Sequence, residues 1–138
     1  THWGTLAETL DETVKLIKTI NRQNFGITFE PANLMACGSE FNKNALNQLL
    51  PYTENFYFQN IILDKKGKHV FPTIHNGDVR VKYVSLENSN GINVFSFLDF
   101  LREKKYDKWF TVHQPLLEDQ TVENAIEKAS KLFLEYKF

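Results

Sequence analysis

The links between the periodic segments of this chain are unequal. Short apolar strands alternate with amphipathic helices; the helix-to-strand links are short, and the strand-to-helix links are long and hold most of the unusual polar residues. A (β/α) barrel and an open α/β sheet both build their sites this way, at the carboxyl ends of parallel strands. His2 stands where a strand would just have ended. The expectation is therefore an α/β chain forming the C-terminal part of a larger barrel, with residues 1–138 as one unit.

Leu6, Leu10, Val14 and Ile17 recur at helical spacing and predict a helix from about Thr9 to Asn21. Thr9 with Glu12 has the spacing of a capping box, and Thr5 with Glu8 repeats it one turn earlier. Phe25 to Glu30 reads as a strand bounded by Pro31, and Ala45, Leu49 and Leu50 mark a short helix ended by Pro51. Asn55 to Leu63 reads as one strand, apolar at nearly every position, as a parallel strand covered on both faces should be. The longest irregular stretch follows, Asp64 to about Gly91, in which Val79 to Val84 alternates like a small strand. A loop of that length inside a compact domain is usually functional. A helix over Asn93–Lys104, a strand over Lys108–His113 and a last helix capped by Thr121 complete the order α-β-α-β-α-β-α.

Composition closes off several function classes. The 138 residues are 42% hydrophobic and include 12 Phe, enough for a Phe-rich core. The 16 basic and 17 acidic residues are well mixed, so the basic stripe of a nucleic-acid binder is absent. No apolar run approaches the ~20 residues of a membrane helix. Cys37 is the sole cysteine, which leaves no internal disulfide and fits a reducing, cytoplasmic compartment. Neither a phosphate-cradling Gly-x-Gly-x-x-Gly nor a Gly-x-Ser-x-Gly elbow is present.

Polar groups stand where strands end: His2, Glu30 with Asn33, Gln59, and His113 with Gln114. Each comes from a different βα junction, so they could converge on one point. Carboxylate, amide oxygen and imidazole are ligands that a divalent cation accepts. Glu30 is the sharpest candidate, because a carboxylate ending an apolar strand is costly unless paired. Trp3 follows His2 at the correct end to stack on a sugar face, and Arg80 with Lys82 could reach the site from the long loop. Lys65, Lys66 and Lys68 read as a solvated charge run, His69 and His75 as surface residues, and Trp109 as a packing residue at the wrong end of its strand.

The stretch Gly26-Ile27-Thr28-Phe29-Glu30-Pro31-Ala32-Asn33-Leu34 resembles the strand-end motif of the sugar phosphate isomerase/epimerase family, whose fold is a xylose isomerase-like TIM barrel. Thr1-His2-Trp3-Gly4-Thr5 resembles that family's segment after an earlier strand. Asn90 to Phe95, Phe97 to Leu101 and Tyr106 to Trp109 resemble its last repeat. The resemblance implies a divalent metal (manganese, magnesium, cobalt or zinc) and proton transfer through an enediolate. Carried over by position, it gives Glu30, Gln59 and His113 as metal ligands, and Glu30 and His113 as catalytic groups. His2, Trp3, Asn33 and Arg80 then contact the substrate, a sugar or sugar phosphate. Gln59 stands where the family has His, and His113 where it has its final Glu. The alternative is a non-catalytic sugar-binding or structural barrel with a degenerate site. The expected partner is the N-terminal half of the barrel or a second copy, with no nucleic acid and no membrane.

Overall fold

The computed structural model describes residues 1–39 and 42–136. Helix α1 (Leu10–Ile20) begins at the expected capping box: Thr9 accepts from the Glu12 N–H, and the Glu12 carboxylate returns the bond to the Thr9 N–H at 3.0 Å. Asn21, in the left-handed region at φ 42°, closes it by donating its N–H to the Ile17 carbonyl. Leu6 lies outside this helix and is exposed.

Three strands form a parallel sheet in the order β1-β2-β6: β1 (Ile27–Phe29), β2 (Thr53–Phe58) and β6 (Trp109–Val112). The register places Phe29 beside Phe56 and Phe56 beside Phe110, so these rings share one face, together with Phe58 two residues on. That face is buried under helices. Phe97 of α4 (Val94–Glu103) packs against Phe29, Phe56 and Phe58, and Phe133 of α5 (Val122–Glu135) against Phe58 and Phe110. Asn93 and Thr121 cap α4 and α5, accepting from the N–H groups of Ser96 and Asn124. The alternate residues, Thr28, Asn55, Tyr57, Trp109 and Thr111, occupy the other face. Asn55 and Thr111 hydrogen-bond across it, while Trp109 is 76% exposed.

Pro31 opens a helix rather than simply ending a strand: α2 (Pro31–Ala36) starts on it, at the position where a missing N–H costs nothing. Helix α3 (Lys43–Leu49) and a 3-10 turn (Leu50–Tyr52) lead into β2.

The single strand expected over Asn55–Leu63 is two. The chain leaves the parallel sheet after Phe58, passes Gln59 and Asn60, and enters β3 (Ile61–Leu63) of a second sheet. This sheet is antiparallel, in the order β3-β5-β4, with β4 (His69–Thr73) and β5 (Gly77–Tyr83). It fills most of the stretch that reads as irregular. Asn60 is the reason for the break. Its side chain donates to the carbonyls of Ser85 and Asn88 and accepts the Ile92 N–H, which pulls it out of any ladder. Among the described residues no helix is long and apolar enough to cross a membrane.

Candidate functional site at the strand carboxyl ends

Glu30, Gln59 and His113 each follow the last residue of one of the three parallel strands, and each is two residues beyond a residue of the open face. Adjacent strands therefore bring them together. Glu30 is the hub and is only 2% exposed. One carboxylate oxygen accepts from the Gln59 amide and, at 3.1 Å, from His113 Nδ1; the other accepts from the Asn33 amide. Burial of this carboxylate is offset by those three charge-assisted bonds. Glu30 sits at the N-cap of α2 without capping it with its side chain, so the carboxylate is free for the site.

The amide orientations follow from chemistry. Asn33 Nδ2 lies between two acceptors, Glu30 Oε2 and the Thr1 carbonyl at 3.2 Å, so turning the amide over would set oxygen against oxygen twice. Gln59 meets a carboxylate oxygen with the same consequence. Asn33 Oδ1 is buried with no partner among the described residues. A carboxylate only accepts, so His113 presents Nδ1–H to Glu30 and leaves Nε2 to solvent; its side chain is 53% exposed and its ring lies 5.1 Å from that of Tyr57.

The other expected site residues lie around or away from this cluster. His2 donates from Nδ1 to the Trp3 carbonyl at 2.8 Å, and Trp3 stacks on Phe71 of β4 with centroids 5.4 Å apart. Trp3 is thereby half-buried as a wall between the N-terminal segment and the antiparallel sheet. Arg80 lies in β5 with its guanidinium on the Gly67 carbonyl at 3.1 Å, and no bond ties it to Glu30 among the described residues. Lys68 pairs with Glu118 at the surface. His75 pairs with Glu12 at 2.8 Å. Gln114 accepts the Asn60 N–H at 2.7 Å and so belongs to the scaffold.

Three residues that sequence reasoning passed over shape the site. Tyr83 ends β5 beside Phe71 and His69; burial, and then the charge of Glu30, push its hydroxyl above the usual range, which places it within the carboxylate's field. Asn60 anchors the strand switch. Glu8, fully buried, accepts from the N–H groups of Gly4, Ile74 and His75 and clamps the β4–β5 turn to the N-terminal segment. A Glu one residue before a helix N-cap carries no burial signal of its own.

The metal implied by the resemblance needs several anionic or neutral lone pairs pointing at one position. Glu30 is the one carboxylate of the cluster, and its oxygens already receive the N–H groups of Asn33, Gln59 and His113. Both amides present hydrogens, not oxygens, to the centre. Among the described residues no group of three or more His, Cys, Asp or Glu side chains converges on a cation position. The donors that this chain brings to the strand ends do not by themselves fit a divalent metal.

No family profile matches the chain, and no curated protein sequence does. Solved structures similar to it include the following two. One is a xylose isomerase domain protein from Planctomyces limnophilus, 23% identical over 95% of this chain and 43% of that one, with a TM-score of 0.65. The other is the probable 3-DHS dehydratase AsbF, involved in petrobactin synthesis, from Bacillus anthracis, 22% identical over 97% of this chain and 47% of that one, with a TM-score of 0.70. The chain spans less than half the length of either. Its fold is that of about half of a xylose isomerase-like TIM barrel.

Proposed function

We propose that the chain forms the strand-end site of an enzyme of the sugar isomerase/epimerase class, acting on a small polyhydroxylated carbonyl compound by moving a carbon-bound proton. The observation that carries the reading is the buried Glu30 carboxylate with His113, Gln59 and Asn33 around it, at the carboxyl ends of adjacent parallel strands. Barrels of this architecture place their chemistry there. Tyr83, which feels the charge of Glu30, supplies aromatic surface, and aromatic faces suit the C–H faces of sugars. The test is exchange of carbon-bound protons of aldoses, ketoses and their phosphates in deuterated water, with and without Glu30→Ala. Exchange that the substitution abolishes supports the reading; exchange that survives it moves the chemistry elsewhere.

A second reading keeps the site but not the turnover: a barrel that holds a sugar without transforming it. The observation in its favour is the single carboxylate of the cluster. Saturable sugar binding with no proton exchange selects it.

We also propose that the site works inside a complete barrel. A parallel sheet is ordinarily covered on both faces, yet here Trp109 stands exposed on one of them and β6 is an edge strand. Val122, Ile126 and Leu134 of α5 are exposed as well. An apolar groove of about 560 Å³, lined by Leu86, Val112, Leu116 and Ile126 among others, runs beside them. Further βα units alongside β6 and α5 would cover these surfaces.

A further inference from the structure

We infer that Glu30 and His113 form a carboxylate–imidazole pair that does the work of the site without a divalent metal: Glu30 is the positioning residue, and His113 Nε2 is the base offered to the substrate. The inference rests on the reading of this cluster as a sugar site.

With Glu30 ionised and the ring neutral, the geometry has one consistent tautomer. Glu30 Oε1 accepts from His113 Nδ1 at 3.1 Å, so the imidazole proton sits on Nδ1 and the lone pair on Nε2. Glu30 is buried and His113 is half-exposed, so the anchor is sheltered and the base is open. A buried carboxylate that fixes the tautomer and tilt of a histidine, and steadies the imidazolium formed later, is the arrangement by which acid–base histidines are made effective. Gln59 and Asn33 hold the carboxylate itself, one on each oxygen, and the Tyr57 ring lies tilted against the imidazole, 5.1 Å away. Each of the three side chains bonded to the Glu30 carboxylate, Asn33, Gln59 and His113, is a hydrogen-bond donor. The same shell that steadies an anchoring carboxylate obstructs a cation, which would have to approach through N–H groups.

The step balances with no co-reactant. Nε2 takes the proton from a hydroxyl-bearing carbon next to a carbonyl. The C–H bond breaks, an N–H bond forms, and the electron pair passes into an enediolate. The imidazolium then returns the proton to the neighbouring carbon, while the hydroxyl proton of the intermediate passes to the former carbonyl oxygen, giving the isomer.

The test is nitrogen NMR of the purified protein at a pH where imidazole is neutral, followed by titration with Mn²⁺ alone. The expected result is a His113 ring protonated at Nδ1 with Nε2 unprotonated, a mixture of tautomers in Glu30→Gln, and recovery in Glu30→Asp. Stoichiometric Mn²⁺ should leave the His113 signals sharp. A wild-type ring protonated at Nε2, or selective broadening of His113 by stoichiometric Mn²⁺, overturns the inference. The wild-type measurements decide it even if a Glu30 variant fails to fold. They are also independent of sugar binding: the expected tautomer with no sugar bound in any assay overturns the proposed function and leaves the pair in place.

Discussion

The side-chain oxygen of Asn60 accepts the backbone N–H of Ile92 at 2.7 Å, joining residues 32 positions apart. From the same side chain Nδ2 donates to Ser85 O at 3.0 Å and Asn88 O at 2.8 Å. Gly91 lies so close that a Cβ there would sit 2.3 Å from Asn60 Oδ1 and 2.2 Å from Ile61 O. One buried amide thus closes the whole excursion between the parallel sheet and α4.

Asn60→Ala removes a donor and an acceptor in a fully buried place and leaves several backbone groups unpaired. At ~1–3 kcal/mol for each unsatisfied group, a loss of about 3 kcal/mol or more is expected. Urea denaturation measures it; a loss below about 1 kcal/mol would show that water replaces the amide. Gly91→Ala should destabilise too, since backbone atoms are what its Cβ would meet.

Glu8 gives the protein an acid limb. Burial raises the affinity of its carboxyl for a proton, but the N–H groups of Gly4, Ile74 and His75, with the nearby His75 charge, outweigh it and hold the group below the usual carboxylate range. Glu12 is held low as well, first by His75 and then by the Thr9 N–H. A depressed folded value means that the stabilisation is present above the ordinary value and is lost as pH falls through the folded one. Denaturation midpoints should therefore drop progressively below about pH 5. Glu8→Gln should flatten that drop and lower stability at neutral pH. An unchanged acid limb in the variant would assign it to other carboxylates.

The thiol of Cys37 should be inert in the folded protein. Burial, then the charge of Glu8, push it up to about 12, so almost none is thiolate at neutral pH. Iodoacetamide labelling followed by mass spectrometry should show modification only after denaturant is added. Rapid labelling of the native chain would mean that the region around α2 opens locally.

Ile126→Glu, alone or with Trp109→Ser, tests the open surfaces. Both residues are exposed, so neither change should cost the fold more than about 0.5 kcal/mol. Each should reduce binding of a hydrophobic dye and self-association of the isolated segment, measured by light scattering. If dye binding and scattering do not change, the groove beside α5 is not the sticky face.

Helices α1, α4 and α5 were legible because their apolar period and caps are local signals, and Thr9, Asn93 and Thr121 cap as their types predict. The parallel strands and the convergence of Glu30, Gln59 and His113 were legible because a strand end is a place in the sequence as well as in space. Of the antiparallel sheet only β5 was, through the alternation of Val79 to Val84. Ile61–Leu63 continues the apolar run of β2, and only the tertiary partners of Asn60 say that the run changes sheets. Pro72 and the lysines around β4 mask an alternation that shows up as burial of Phe71 and Thr73 alone. The burial of Glu8 depends on a turn 66 residues away.

The antiparallel sheet also sets an order in time. Its strands β4 and β5 meet through a turn of a few residues, whereas β2 and β6 pair across more than fifty. Closing the short loop costs far less chain entropy, so the hairpin can assemble before the parallel sheet exists. It then offers Phe71 and Tyr83 as a preformed surface on which the ends of the later strands can settle. A chain stalled at that stage would hold the Phe71 and Tyr83 surface and lack the cluster of Glu30, Asn33, Gln59 and His113.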